Sequence, residues 1–212
     1  MSCCTVISHQ GKGSVGKMES ALIYDAIAIL VNRLDDAKHT HPWVIGGSTA
    51  LMLRGLALTP RDIDIYCDLN SVNFLCERLN DYMVEAPNYS VTNIYSSTLA
   101  RFQIAGVSVE LVGDFTVRTA CSSYHIQVEQ LLSPYSDTIT VPACTESTAL
   151  PLVPLAHELL FNYLRGREDR LLQVTSIFQK QYNTHFPAFK ALVGANVLSE
   201  ADRIHLHRII AI

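Results

Sequence analysis

The spacing of hydrophobic and polar positions predicts one helix near the start of the chain and another after residue 68. In the first, from residue 18 to 36, apolar side chains recur every three or four positions, as one face of a helix requires. They are Leu22, Ala26, Ile29, Leu30 and Leu34. The second is predicted to run from Ser71, a candidate N-cap, to Met83, with Val72, Leu75 and Leu79 on its apolar face.

Alternating apolar and polar residues predict two paired strands in the middle of the chain. Residues 99–105 and 107–112 alternate with a period of two, and Ala105-Gly106 between them predicts a tight antiparallel turn. From residue 151 onward the apolar spacing is helical again. We therefore expect a flexible leader at 1–17, a mixed α and β domain at 18–150, and a C-terminal helical region at 151–212.

Between the first two predicted helices, the stretch 43–68 carries the strongest candidate chemistry. An apolar strand at 43–45 leads into Gly46-Gly47-Ser48, a short helix, and a second strand with Asp62 and Asp64. Because side chains alternate along a strand, both carboxylates project from one face and can share a divalent cation. Glycines ahead of a helix let backbone N–H groups approach phosphate oxygens. Alone, the two acids fit an exposed edge strand equally well; with the glycine turn they predict a site for a metal-bound triphosphate.

The segments Ile45-Gly46-Gly47-Ser48 and Asp62-Ile63-Asp64-Ile65 resemble the sequence pattern of the nucleotidyltransferase superfamily. This superfamily includes DNA polymerase beta, antibiotic nucleotidyltransferases and the toxins of some toxin–antitoxin pairs. Its pattern continues with a third carboxylate on another strand, and the alternating segment 107–112 offers Glu110 there, where many relatives carry Asp. The resemblance implies an α+β fold, with a polymerase-beta-like mixed sheet flanked by helices and a C-terminal helical region.

The resemblance also implies a reaction and its metal ligands. A nucleoside monophosphate would pass from a nucleoside triphosphate such as ATP to a hydroxyl acceptor, by in-line displacement at the α-phosphate. Asp62 and Asp64 would bridge two Mg²⁺ ions, and Glu110 would complete the ligand set. Three clustered carboxylates repel one another, and a bound cation relieves that repulsion.

For the nucleotide, the resemblance implies that Ser48 binds a terminal phosphate through its hydroxyl, while Gly46 and Gly47 contribute backbone. Arg61, next to the first carboxylate, either reaches a phosphate or pairs with Asp62. The segment 165–170, Arg-Gly-Arg-Glu-Asp-Arg, is similar to a motif that lines the cleft in relatives, with Glu168 where a lysine is usual. It fits a charged helix start with Arg–Glu pairs at least as well.

A second nucleotide motif stands near the N-terminus but is incomplete. Residues 11–18 nearly match the phosphate-binding loop GxxxxGK[ST], after a possible strand at 5–7. Met18 occupies the position where the motif needs a hydroxyl to hold magnesium. We therefore favour a Gly- and Lys-rich leader over an ATPase of the phosphate-loop class.

Composition narrows the class of acceptor. The chain has 212 residues, 49% of them hydrophobic and 17% charged, and a net charge of −4 from 16 Lys and Arg against 20 Asp and Glu. This describes an ordered globular protein without the broad basic surface that nucleic-acid binders use. We expect a small-molecule hydroxyl acceptor, with Asp68, Asp114 and Asp169 as carboxylates at the cleft mouth for a cationic compound. RNA or protein as acceptor, and a binding or regulatory module that has lost turnover, are the alternatives.

Cysteine usage and hydropathy suggest a cellular location. The six cysteines contain no CxxC pair, which fits reduced thiols in a cytoplasm better than a disulfide framework. The sequence contains no apolar run of roughly 20 residues, so we expect no membrane span.

Overall fold

An eight-stranded mixed sheet forms the centre of the computed structural model, which describes residues 12–141 and 149–211, with side chains from residue 21 onward. The strands are β1 (Trp43–Gly46), β2 (Asp62–Cys67), β3 (Met83–Val91), β4 (Tyr95–Ile104), β5 (Val107–Arg118), β6 (Ser123–His125), β7 (Asp137–Thr140) and β8 (Ala149–Leu152). Their order across the sheet is β3-β4-β5-β2-β1-β8-β7, and β6 pairs with β5. The predicted α+β mixed sheet is confirmed.

Seven helices flank this sheet in the described residues. They are α1 (Lys12–Leu34), α2 (Gly47–Leu53), α3 (Leu69–Arg78), α4 (Leu155–Leu164), α5 (Glu168–Lys180), α6 (Tyr182–Ala195) and α7 (Glu200–Ile210). Within that part of the chain, no helix combines the length and the apolarity needed to cross a membrane. The first begins at Lys12 rather than at residue 18, so it includes residues 12–17 of the predicted leader. The possible strand at 5–7 and the start of the incomplete phosphate loop lie outside the described residues.

The third helix differs from its prediction at both ends. It begins at Leu69, with Asp68 rather than Ser71 at the N-cap position, and Ser71 is buried inside it. The Asp68 carboxylate accepts hydrogen bonds from the N–H groups of Val128 and Glu129 instead of capping its own helix. At the other end the helix stops at Arg78, and Met83 starts β3. Pairing of Met83 with Phe102 in the sheet overrides the helical spacing of the apolar residues.

The predicted hairpin at Ala105-Gly106 is confirmed. These two residues join β4 to β5 with φ angles of 49° and 80°, the left-handed conformation that a two-residue hairpin turn requires. The predicted boundary at residue 150 is shifted, because β8 continues to Leu152 and pairs in parallel with β1. The C-terminal helices thus follow directly from a strand of the central sheet.

Strand β2 lies at the middle of the sheet, between β1 and β5. Gly46 of β1 pairs with Asp64 across an antiparallel register, and Asp64 pairs with Glu110 across a parallel one. Paired residues of adjacent strands project to the same face of a sheet. Asp62, Asp64 and Glu110 therefore lie on one face.

Candidate nucleotide-binding site

All the predicted site residues except Gly46 line one cleft of about 760 Å³ beside the sheet. Among them are Gly47, Ser48, Arg61, Asp62, Asp64 and Glu110. The remaining wall is formed by the β3–β4 hairpin and by the junction between α4 and α5. Gly46 does not line the cleft.

The two glycines of the turn are required by close packing. A Cβ on Gly46 would lie 2.3 Å from Cε2 of Tyr66. A Cβ on Gly47 would lie 2.1 Å from Oδ2 of Asp64, and Gly47 has a φ of +64°. Both distances are far below van der Waals contact. In addition, the φ of Gly47 lies where L side chains are disfavoured. The turn therefore approaches Asp64 as closely as backbone allows.

Like charges surround Asp64. Its pKa is raised to about 7, first by burial and then by the charges of Asp62, Glu110 and Glu158, while Arg165 acts in the opposite direction. The pKa of Asp62 is also raised, by burial and by Glu110. Ionised carboxylates that repel one another in a partly buried cleft are stabilised by a cation. Asp62 and Asp64 thus fit a divalent metal ion.

Glu110 faces the cleft, but its carboxylate is paired with the guanidinium of Arg101. Arg101 Nε donates to Glu110 Oε1 at 2.9 Å, and Arg101 Nη1 donates to Glu85 Oε2 at 2.5 Å. Among the residues described, no group of three or more His, Cys, Asp or Glu side chains is arranged to hold a metal. The prediction that Glu110 joins the two aspartates around metal therefore stays a prediction.

Sequence reasoning missed Glu158, a buried acid on α4 that reaches the glycine turn. Its Oε1 accepts a hydrogen bond from Gly47 N–H at 2.7 Å. Burial raises its pKa, and Arg54, the Gly47 N–H and Asn162 oppose that rise. A charged residue within the apolar stripe of a predicted helix was the signal, and it was visible between Leu155 and Leu159.

The arginines at the α4–α5 junction belong to this cleft. Arg165, Arg167 and Arg170 all line it. The Arg165 guanidinium lies 4.7 Å from the ring centre of Phe161 and donates to the Tyr95 hydroxyl at 3.0 Å. Nη1 of Arg170 is buried and has no hydrogen-bond partner within the described residues. One part of the cleft is thus acidic, and another is basic.

The three carboxylates expected at the cleft mouth are elsewhere. Asp68 binds backbone N–H groups, and Asp114 pairs with His125 at 2.7 Å. Asp169 lies 3.5 Å from Arg167 and 3.8 Å from Arg170, but it does not line the cleft. None of the three lines the cleft, so they give no support to a cationic acceptor.

Comparison with solved structures identifies the fold. A Thermotoga maritima protein described as a candidate nucleotidyltransferase superposes with a TM-score of 0.53 at 20% identity, over 81% of this chain and 97% of that one. The crystal structure of ANT(2″)-Ia in complex with adenylyl-2″-tobramycin matches with a TM-score of 0.44 at 11% identity, over 82% of this chain and 97% of that one. No protein-family model and no curated protein matches the chain. The structural likeness shows a nucleotidyltransferase fold, as the sequence resemblance implied.

The contact between Gly47 and Asp64 predicts an unequal response to two glycine substitutions. Gly106→Ala meets open space and carries only the left-handed penalty of roughly 1–2 kcal/mol. Gly47→Ala adds the collision with Asp64, so we expect a total loss of roughly 2–5 kcal/mol. Urea unfolding measures both variants. Equal losses would show that the turn can move away from Asp64.

Asp64→Asn should stabilise the protein at high pH. A carboxyl whose pKa rises from 3.8 to about 7 on folding loses stability as pH rises through that window, and the loss is complete above it. At pH 8 and without divalent cations, we expect a gain of up to about 4 kcal/mol, from roughly three pKa units at 1.4 kcal/mol each. At pH 4 the gain should vanish. Urea unfolding at both pH values tests this, with the exposed Glu77→Gln as control; a gain that does not depend on pH would contradict it.

Proposed function

We propose that this protein is a magnesium-dependent nucleotidyltransferase that moves a nucleoside monophosphate from a nucleoside triphosphate to the hydroxyl of a small molecule. One observation carries this proposal. In a cleft of the nucleotidyltransferase fold, Asp62 and Asp64 form an acidic patch that makes no salt bridge within the described part of the chain, and arginines line the same cleft. The acidic patch suits a divalent cation, and the arginines suit a polyphosphate.

Asp62 and Asp64 would hold the Mg²⁺ ion. When bound, Mg²⁺ supplies charge neutralisation for the phosphates and for the attacking oxygen. The raised pKa values of both aspartates fit this role, because their mutual repulsion disappears when a cation is present. A second ion, with Glu110 as a further ligand, is part of the proposal and requires Glu110 to exchange Arg101 for metal.

The phosphates would bind between the turn and the α4–α5 junction. Ser48 offers its hydroxyl, and Arg61, Arg167 and Arg170 offer guanidinium groups, which bind phosphate oxygens in pairs. The N–H of Gly47 already donates to Glu158, so Gly47 contributes its left-handed turn rather than a phosphate hydrogen bond.

The transfer itself is a balanced displacement. The acceptor oxygen forms a bond to the α-phosphorus, the bond from that phosphorus to the bridging oxygen breaks, and pyrophosphate leaves with that oxygen. The acceptor proton passes to a carboxylate of the cleft.

The hairpin side of the cleft favours a small, uncharged polar acceptor. Ser90, Thr92 and Ser97 contribute hydroxyls there, and Tyr95 contributes an aromatic face. The cleft volume of about 760 Å³ lies within the usual range for small-molecule sites. RNA and protein acceptors are the alternatives, and the arginines of the cleft would then contact an acceptor phosphate or acidic residue.

The Arg101–Glu110 ion pair favours a second candidate function. If this pair persists with nucleotide bound, the third carboxylate is neutralised and no group of three acids surrounds a metal in the described part of the chain. The protein would then bind nucleotide as a regulatory module without turnover. Binding without transfer would identify this case.

A cytoplasmic location is part of the proposal. The described cysteines Cys67, Cys76 and Cys121 are free thiols, two of them buried. Burial raises the pKa of Cys76 to about 11, which keeps it in the unreactive thiol form. Free thiols fit a reducing compartment.

Replacing both aspartates should abolish transfer. We expect Asp62→Asn with Asp64→Asn to reduce nucleotidyl transfer at least 10³-fold, on the order of what loss of charge stabilisation at a transition state costs. Labelled triphosphates, Mg²⁺, total RNA and a panel of small hydroxyl compounds supply the assay. The control is Asp36→Asn, which removes an exposed carboxylate that pairs with Arg78. Label in RNA or in the protein itself, with none on small compounds, would contradict the acceptor assignment.

The arginines should affect triphosphate affinity more than turnover. Arg167→Ala with Arg170→Ala is expected to raise the KM for triphosphate on the order of 10²- to 10⁴-fold, since two charged hydrogen bonds are lost and each contributes about 1.5–3 kcal/mol. Arg78→Ala, an arginine paired at the surface, should leave it unchanged. Steady-state kinetics at saturating Mg²⁺ separates KM from kcat. An unchanged KM in the double variant would place the phosphates elsewhere.

A further inference from the structure

Glu158 is a carboxylate in a place where carboxylates are rare. It lies in the first turn of α4, among other buried residues of that helix, and it is 1% exposed. A buried carboxylate is costly unless hydrogen bonds compensate for its lost hydration. Both of its oxygens have such partners: Gly47 N–H at 2.7 Å and Asn162 Nδ2 at 3.1 Å.

Asn162 fixes the direction in which Glu158 points. Its Nδ2 donates to the Glu158 carboxylate and also, at 2.8 Å, to the Glu158 backbone carbonyl one helical turn earlier. This pair of bonds couples the side chain to its own helix. The other carboxylate oxygen is thereby directed at Gly47, 111 residues earlier in the chain.

Gly47 is the residue whose position matters most for the acidic patch. It is held at a φ of +64°, with Asp64 Oδ2 2.1 Å from the place of its missing Cβ. Ser48, the next residue, lines the cleft. A shift of this turn would move a phosphate-binding hydroxyl and open space beside a metal-binding carboxylate at the same time.

We propose that Glu158 is a positioning residue for the transfer reaction, which holds the Gly47 turn against Asp64 through its hydrogen bond to the Gly47 N–H. This inference rests on the proposed function. Helix α4, the first helix of the C-terminal region, thereby sets the geometry of the Gly47 turn without contacting the reacting atoms. What the role requires of residue 158 is a hydrogen-bond acceptor of the right length, and a negative charge is not required.

Two substitutions separate the acceptor from the charge. Glu158→Gln keeps an oxygen that can accept from Gly47 and removes the charge. Glu158→Met has a similar length and cannot take the place of that acceptor, and it removes a buried charge, so it is expected to fold. Leu159→Ala, at a fully buried neighbour on α4, loses packing, keeps Glu158 and serves as the stability control.

Transfer kinetics at saturating Mg²⁺ and hydrogen exchange of the Gly47 amide are measured for each variant. We expect Glu158→Met to lower kcat on the order of 10²-fold, as for a catalytic group misplaced by about 1 Å, and to expose the amide to exchange. Glu158→Gln should keep the amide protected and retain kcat within about fivefold, less than 1 kcal/mol of barrier. Leu159→Ala should lower Tm and leave kcat per folded molecule close to that of the unmodified protein.

Two results would overturn the assignment. Full activity in Glu158→Met would show that the hydrogen bond has no role. Loss of activity in Glu158→Gln with a protected Gly47 amide would show that the charge acts directly in the chemistry. If the unmodified protein neither binds nor transfers any nucleotide, the proposed function fails instead. Hydrogen exchange of the Gly47 amide in Glu158→Met then tests, without any activity measurement, whether Glu158 holds the Gly47 turn.

Discussion

The close approach of Gly47 to Asp64 is the constraint on which the rest of the site depends. A side chain at Gly47 would occupy the space of the Asp64 carboxylate, so the turn and the acidic strand can be in register only with glycine there. The register Gly46↔Asp64 across β1 and β2 fixes this contact. Through the parallel partner strand, the same register brings Glu110 to the same face. The cleft chemistry therefore follows from how one strand is paired.

That arrangement concentrates negative charge and costs stability. The raised pKa of Asp64 means that its ionised form is disfavoured in the folded protein, so the site is less stable at neutral pH than an apolar cleft would be. Sites built for binding charged ligands commonly carry such a cost. The arginines that would receive a polyphosphate come from a different part of the chain, at the junction of α4 and α5. A metal–triphosphate complex matches both parts at once, which is why it is the ligand we propose.

The C-terminal helices complete the cleft rather than stand beside it. Strand β8 joins the central sheet through Ile45 and Leu152, and α4 follows it immediately. This connection places Glu158 within hydrogen-bond distance of Gly47 and Arg165 over the ring of Phe161. Parallel pairing with β1 explains why a helix so distant in sequence reaches the glycine turn. The proposed role of Glu158 depends on this topology.

The sequence by itself determined the local elements that have a clear period or a demanding turn. The hairpin at Ala105-Gly106 and the strand carrying Asp62 and Asp64 were predicted because alternation and left-handed glycine positions are local properties. Two features depended on tertiary structure: β-pairing of Met83 with Phe102 instead of a helical end, and the contact of Glu158 with Gly47. In the second, the residues are separated by 111 positions. Periodicity shows which face of an element is apolar, but the partner across that face is decided only when the strands pair and the helices pack.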